Sequence, residues 1–381
     1  MILTGLDRLQ SSEWSKKLTG KRYGLITHPA AISHSLQSSI KVLKDLGAGE
    51  LVALFGAEHG VYGDLDPGEH VPFMQDEKTM LPMYSIYGST YEPTDEMLKG
   101  LDLIVYDMQD VGARYFTYVS TLRNVMKKCA QTSLPLWVLD RPNPLGRTVE
   151  GRLPQAGEHS FVCFGPVPHR HGMTLGEIAL YLKDVLYPQV DLTVVPLTGW
   201  SGEMGPFGLW VPPSPNINGW DAVFAYPGTC LVEGVDVSLG RGTPQPFIQF
   251  GHPQLDSAQL LAAMKGRLPD NVVALETSFI PKAPPFVGER CYGIRLHFLG
   301  GDVPAFRVGV ELLWALRQTL GERFAFTGKT PWLDRLNGGP ALREALVSEQ
   351  TMVSYFMEEA KEVVAFRKIR APYLLYGTQG A

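Results

Sequence analysis

A glutamate and a histidine stand side by side, Glu58-His59, in a turn of small residues between Ala57 and Gly60, directly after the apolar run Leu51 to Phe55. A strand that empties into such a turn delivers its side chains to the carboxyl edge of a sheet, where α/β proteins place their ligands. Two further apolar runs carry polar residues past their ends. Leu101 to Tyr106 is followed by Asp107, Gln109, Asp110 and Arg114, and Leu134 to Leu139 by Asp140, Arg141 and Asn143. Three loaded strand ends are expected to converge on one rim and form a site there. The plainer alternative for Asp140–Arg141 is a pair that only fixes its own loop.

Several chemistries can be weighed on these residues. His169 and His171 are two apart, which suits ligands on one side of a strand, but Pro168 points to a loop and no HExxH spacing joins them. No metal or other cofactor is expected, and a metal-assisted hydrolase using Glu58, His59 and His171 stands as the alternative. The GxSxG of a serine nucleophile, the phosphate-binding P-loop and a GxGxxG after the first strand are all missing. Thr174 and Glu177 read as a capping box, a structural duty for Glu177. Carboxylates remain: Glu58, Asp107, Asp110, Asp140, Glu150 and Glu233 lie in or beside turns. Glycoside cleavage needs one carboxylic acid to protonate the leaving oxygen and a second group to stabilise or attack the anomeric centre. Tyr62, Tyr115, Phe116, Tyr118, Trp210 and Tyr226 would suit the apolar faces of a sugar, with about half of them expected in the core instead. Arg241, between Gly240 and Gly242, has the planar fork to bind a carboxylate or phosphate, or else to tether two domains.

The elements that must position these residues alternate along the first half of the chain. Arg22 to Thr27 reads as a strand, and Ile32, Leu36, Ile40 and Leu43 recur at helical spacing up to Gly47. Leu51 to Phe55 is a second strand, followed by a turn-rich stretch through Gly63, Pro67 and Gly68. The strands Leu101 to Tyr106 and Leu134 to Leu139 enclose a helix over roughly Tyr118 to Ala130. Short, nearly continuous apolar strands with helices between them predict an α/β fold built on a Rossmann-like, doubly wound parallel sheet. From Pro196 to Gly251 glycine, proline and aromatic residues are dense, which predicts a structured crossover lining a cleft. A strand at Tyr292 to Phe298, a helix at Ala305 to Leu320 and mostly helix from Ala341 to Arg367 make a second, smaller mixed α/β domain. The expected division is residues 1–220 and 221–381.

At 381 residues, 45% hydrophobic and 19% charged, the chain is long enough for two globular domains and too apolar for disorder. A net charge of −5 with scattered Lys and Arg leaves no footprint for nucleic acid or an anionic membrane. The four cysteines (Cys129, Cys163, Cys230, Cys291) form no CxxC pair and are expected to be free, buried thiols. The N-terminal residues lack the pattern of a secretory signal, so the chain as it stands is expected in the cytoplasm, or outside the cell if a leader was removed. The oligomeric state is not legible.

Nine motifs, in order, carry a resemblance. They are Phe55-Gly56-Ala57-Glu58-His59-Gly60 with Gly63-Asp64, Leu81 to Gly88, Asp107 to Tyr115, Leu139 to Pro144, His171 to Glu177, Pro213-Ser214-Pro215-Asn216, Tyr226 to Thr229, Ser238 to Thr243, and Pro372 to Tyr376. From Gly5 to Tyr376 the chain resembles the NamZ family of exo-acting β-N-acetylmuramidases. The resemblance implies a Rossmann-like catalytic domain, a smaller C-terminal domain closing the cleft, and release of N-acetylmuramic acid from the non-reducing end of peptidoglycan fragments. A version kept in the cytoplasm would serve cell-wall recycling. The family's catalytic glutamate lies in a Pro-Glu-His-Gly turn and maps onto Glu58, although Ala57 and Tyr62 stand where the family more often has proline and arginine. Glu58 is accordingly expected to be the general acid/base, kept protonated by enclosure in its turn. His59 would orient it or bind a sugar hydroxyl. Asp110, Asp140 or Glu233 would stabilise positive charge at the anomeric carbon, unless the substrate's own acetamido group attacks. The expected binding set is Arg141, Asn143 and Arg241 for the lactyl carboxylate and acetamido group, together with Arg114, Tyr118, His171 and Asn216. A non-catalytic muropeptide-binding protein on the same scaffold is the remaining rival.

Overall fold

Leu103–Asp107 (β5) and Leu136–Leu139 (β6) are buried at every position, the pattern of strands covered on both faces. Together with Arg22–Thr27 (β1), Glu50–Gly56 (β2), Met74–Gln75 (β3), Pro82–Ser85 (β4) and Leu192–Val195 (β7) they form one sheet. The structure is a computed structural model that describes residues 1–65, 73–205, 207 and 210–377; the turns expected at Pro67 and Gly68 lie outside the described residues. Sheet order is β3-β4-β2-β1-β5-β6-β7, and every neighbouring pair is parallel except β3 with β4. The chain therefore builds outward from β1 on one side, then returns and builds outward on the other, which is the doubly wound plan expected. Ile26 pairs with Phe55 on one flank and with Tyr106 on the other. Segments leaving β1, β2 and β5 thus start level, at one rim.

Helices cover both faces. Thr117–Thr132 buries Tyr118, Thr121, Leu122, Val125, Met126 and Cys129, a stripe at helical spacing, against one face. The other face holds a separate core that includes Leu6, Leu9, Trp14, Leu25, Val42 and Leu43. The helix expected from Ile32 begins only at Ser39 (Ser39–Leu46): the Ser38 hydroxyl caps the amide of Lys41, and Leu36 sits exposed at φ +60°. Gly47 ends it in the left-handed conformation, as expected. The Thr174–Glu177 capping box forms in full at the start of Leu175–Leu186. All four cysteines are free and buried.

The second unit is an antiparallel sheet of order β8-β10-β9, made of Gln249–His252 (β8), Val272–Phe279 (β9) and Cys291–Phe298 (β10). Inside the Gly- and Pro-rich stretch a helix does form, Trp220–Thr229, with Pro227 near its end. It crosses Ala305–Leu320 at Gly228 and Gly309, where a Cβ on Gly228 would come within 1.7 Å of the Ala305 carbonyl oxygen. Only glycine permits that approach. The main core runs without a break from the first sheet into this unit. Among the described residues, no helix is long and apolar enough to cross a membrane.

Candidate active site

Glu58 follows β2 at the sheet rim, half-buried, with its carboxylate held by two hydroxyls. Tyr87 donates to Oε1 at 3.0 Å, and Thr117, the first residue of its 16-residue helix, donates to Oε2 at 2.6 Å. Burial and the neighbouring Glu58 carboxylate push the Tyr87 phenol above its ordinary range, so it remains a donor across the physiological range. The turn is braced from below. Tyr118 donates to the Pro213 carbonyl at 2.6 Å and stands 3.4 Å from the Glu58 carbonyl. His59 takes φ +71°, a costly conformation for a residue with a Cβ, and its buried ring pairs through Nδ1 with the Leu65 carbonyl at 3.0 Å. The carbonyl partner makes Nδ1 the donor. His59 therefore shapes the turn.

The carboxylate opens into a cavity of about 450 Å³, of the size that takes small molecules. The second unit supplies much of its wall: Tyr226, Glu233 on the 3₁₀ turn Cys230–Gly234, Arg241, and Trp332 with Arg335. Tyr87, Tyr91 and Phe161 form a contiguous aromatic group on the side nearer the first sheet. Glu233 and Arg241 make an ion pair, and the Arg241 guanidinium lies 4.9 Å from the Phe247 ring. Burial opposes the Arg241 charge, but Glu233 outweighs it and raises the guanidinium pKa further. A smaller recess of about 50 Å³ continues past Glu58 between His59, Ser214, Arg241 and Phe247. Asn216 is half-buried beside the Ser214 and Ile217 that line this recess.

The other two loaded strand ends do not reach the cavity. Neighbours fill most of their polar groups, although Asp110 Oδ1 and the nearby His171 Nε2 are buried without a hydrogen-bond partner among the described residues. Arg141 grips Asp107 through two bonds, 2.6 and 2.9 Å, donates a third to the Ile32 carbonyl, and faces a separate crevice of about 620 Å³. Asp140 is fully buried and accepts from the amides of Arg141 and Gly176 and the hydroxyls of Thr174 and Tyr376. Burial, with the Glu177 carboxylate nearby, pushes its carboxyl up to about 6. Asp140 thus fastens a helix start and the C-terminal strap. Asp110 accepts from the Gly112 amide and lies 3.6 Å from His171 Nε2, both residues buried. Asn143 closes its own loop by accepting from Leu145 and donating to the Met173 carbonyl. Tyr118 is core.

Arg114 departs furthest from the sequence expectation. Fully buried, it donates to the carbonyls of Arg152, Val167, Leu336 and Asn337 and meets His169 Nε2 at 3.0 Å. It is a clamp between the two units, with His169 as one of its acceptors. Among the described residues, no three His, Cys, Asp or Glu side chains converge as a metal would require, so Glu58, His59 and His171 do not assemble into one site. Tyr87, Thr117, Phe161, Trp332 and Arg335 were not singled out from the sequence. Tyr87 lies inside the motif Leu81 to Gly88 and Thr117 two residues past the motif Asp107 to Tyr115, which is the one signal that could have found them.

A doubly wound sheet with a carboxylate at its rim, closed by a second unit that adds another carboxylate and several aromatic rings, defines a two-domain α/β protein with a glycosidase-like cleft. The chain belongs to the exo-β-N-acetylmuramidase NamZ family: the family's N-terminal domain matches residues 23–221 and its C-terminal domain residues 224–376. It is 37% identical over 383 residues to the peptidoglycan β-N-acetylmuramidase NamZ of Bacillus subtilis (strain 168), covering 98% of this chain and 91% of that one. Two crystal structures of DUF1343 family proteins from Bacteroides fragilis are also similar. One has a TM-score of 0.88 at 32% identity, covering 98% of this chain and 99% of its own. The other has a TM-score of 0.81 at 28% identity, covering 99% of each.

Proposed function

We propose that this protein is an exo-acting glycoside hydrolase that releases N-acetylmuramic acid from the non-reducing end of peptidoglycan fragments. The observation that carries the reading is the shared cavity of Glu58 and Glu233, one carboxylate from each unit, among aromatic walls. Glu58 is the general acid/base: the Tyr87 and Thr117 hydroxyls fix its orientation, and its part-open position lets it reach a glycosidic oxygen. Glu233, paired with Arg241, stabilises positive charge at the anomeric carbon. Tyr226 and the Tyr87–Phe161 group offer faces for the sugar rings. The activity of the Bacillus subtilis relative supports the same substrate class.

The test is digestion of a glycan fragment with N-acetylmuramic acid at its non-reducing end, followed by mass spectrometry. The expected products are free N-acetylmuramic acid and a chain one residue shorter. Internal fragments alone, or no cleavage, would overturn the proposal.

A further inference from the structure

Two guanidinium groups line the Glu58 cavity, and they are not equivalent. Arg241 is committed to Glu233. Arg335 is exposed and, among the described residues, makes no hydrogen bond or ion pair; its guanidinium lies 5.8 Å from the Trp332 ring in the same wall. The position is built rather than incidental. Arg335 stands on the helix Trp332–Asn337, whose Leu333 and Leu336 are buried and whose Leu336 and Asn337 carbonyls are both held by Arg114. Gly338 ends that helix in the left-handed conformation. A cation on an anchored element, backed by an indole face and lacking a protein partner, is preorganised for an anion.

The charge balance of the cavity says which anion. Two carboxylates, Glu58 and Glu233, line it, and one of its two cations is spent on Glu233. An anionic ligand entering there meets repulsion unless a free cation faces it. N-acetylmuramic acid is such a ligand, since it differs from N-acetylglucosamine by a lactyl ether ending in a carboxylate. We propose that Arg335 is the specificity-determining residue of the site: its planar fork pairs with the lactyl carboxylate and selects muramyl over glucosaminyl ends. The inference rests on the reading of Glu58 and Glu233 given above. It also explains why Arg241 need not leave Glu233 when substrate binds.

The test compares the parent protein with Arg335→Gln and Arg335→Lys on a chromogenic β-N-acetylmuraminide, and measures binding of free N-acetylmuramic acid and free N-acetylglucosamine by calorimetry. Arg335→Gln is expected to raise KM for the muraminide roughly tenfold or more, the loss of one charge-assisted pair, with kcat within about twofold. Its affinity for N-acetylmuramic acid should fall to the level of N-acetylglucosamine, whose own affinity stays unchanged. Arg335→Lys should recover part of the difference, and added salt should weaken N-acetylmuramic acid binding in the parent more than in Arg335→Gln. Unchanged KM and affinity in Arg335→Gln, or an equal loss for both sugars, overturns the inference. Absence of turnover by the parent overturns the hydrolase reading instead, and the calorimetric preference then still decides the role of Arg335.

Discussion

If the Glu58 carboxylate acts as proton donor and acceptor, the two hydroxyls that hold it should matter in proportion to the hydrogen bonds they make. Tyr87→Phe removes the 3.0 Å bond to Oε1 and Thr117→Val the 2.6 Å bond to Oε2, each with little change in volume. A hydrogen bond to a charged group contributes about 1.5–3 kcal/mol. Glu58 is only half-buried, so water replaces part of each lost bond and the lower end applies. About 1.4 kcal/mol corresponds to tenfold, so each variant should lose roughly tenfold in kcat. The two sites share one acceptor group and are coupled, so the double variant should depart from the product of the single effects. Thr117→Ser keeps the hydroxyl and should retain most activity. The assay is initial-rate hydrolysis of a chromogenic β-N-acetylmuraminide, with thermal melting as a check on folding. Full activity in both single variants would refute the positioning argument. A rise in KM alone would show that these hydroxyls hold substrate rather than Glu58.

The clamp role of Arg114 predicts that Arg114→Met strands four carbonyls, three of them buried, and lowers stability by about 3–5 kcal/mol in urea unfolding; a higher KM with unchanged stability would return it to the binding site. Burial pushes the Glu150 carboxyl from its ordinary 4.5 up to about 7, even with Arg170 at 3.7 Å. The folded state therefore holds the Glu150 proton more tightly than the unfolded state. The stability this contributes is complete below pH 4.5 and is lost as pH rises through 7. Glu150→Gln should accordingly gain on the parent across that window, by about 3 kcal/mol in all, and unfolding curves whose difference is flat with pH would contradict this. Tyr376→Phe removes the donor to Asp140 and the acceptor for the Leu197 amide, so it should cost about 1–3 kcal/mol while leaving kcat unchanged below the melting range; a kcat effect in a stable variant would put Asp140 back among the catalytic groups.

The sheet was legible because it is written in near neighbours. β5 and β6 are continuous apolar runs, and the 16-residue helices Thr117–Thr132 and Ala305–Leu320 repeat their apolar faces at helical spacing. The capping box at Thr174 needs only residues three apart. Leu36 misled because its spacing fits a helix while its backbone does not. Glu58 was legible as the residue that a short strand delivers to the rim. The identity of its companions was not. Asp107, Asp140 and Arg141 have side chains as suited to chemistry as Glu58, and what disqualifies them is who fills their hydrogen bonds: Arg141 for Asp107, and Thr174 and Tyr376 for Asp140. The Asp140–Tyr376 bond spans 236 residues of sequence. Arg335 was invisible for the converse reason. A lone arginine on a short helix carries no signal until the fold shows that it lines the cavity and that Arg241 is already engaged.

The central claim is that Glu58 moves the proton in glycoside cleavage. It is tested most directly by Glu58→Gln, which keeps the shape of the side chain and an acceptor oxygen for one of the two hydroxyls. Parent and variant are assayed side by side for aglycone release from the same β-N-acetylmuraminide. A loss of roughly a hundredfold or more in kcat, with melting little changed, is the result this account predicts. Turnover by Glu58→Gln within a few-fold of the parent would contradict it.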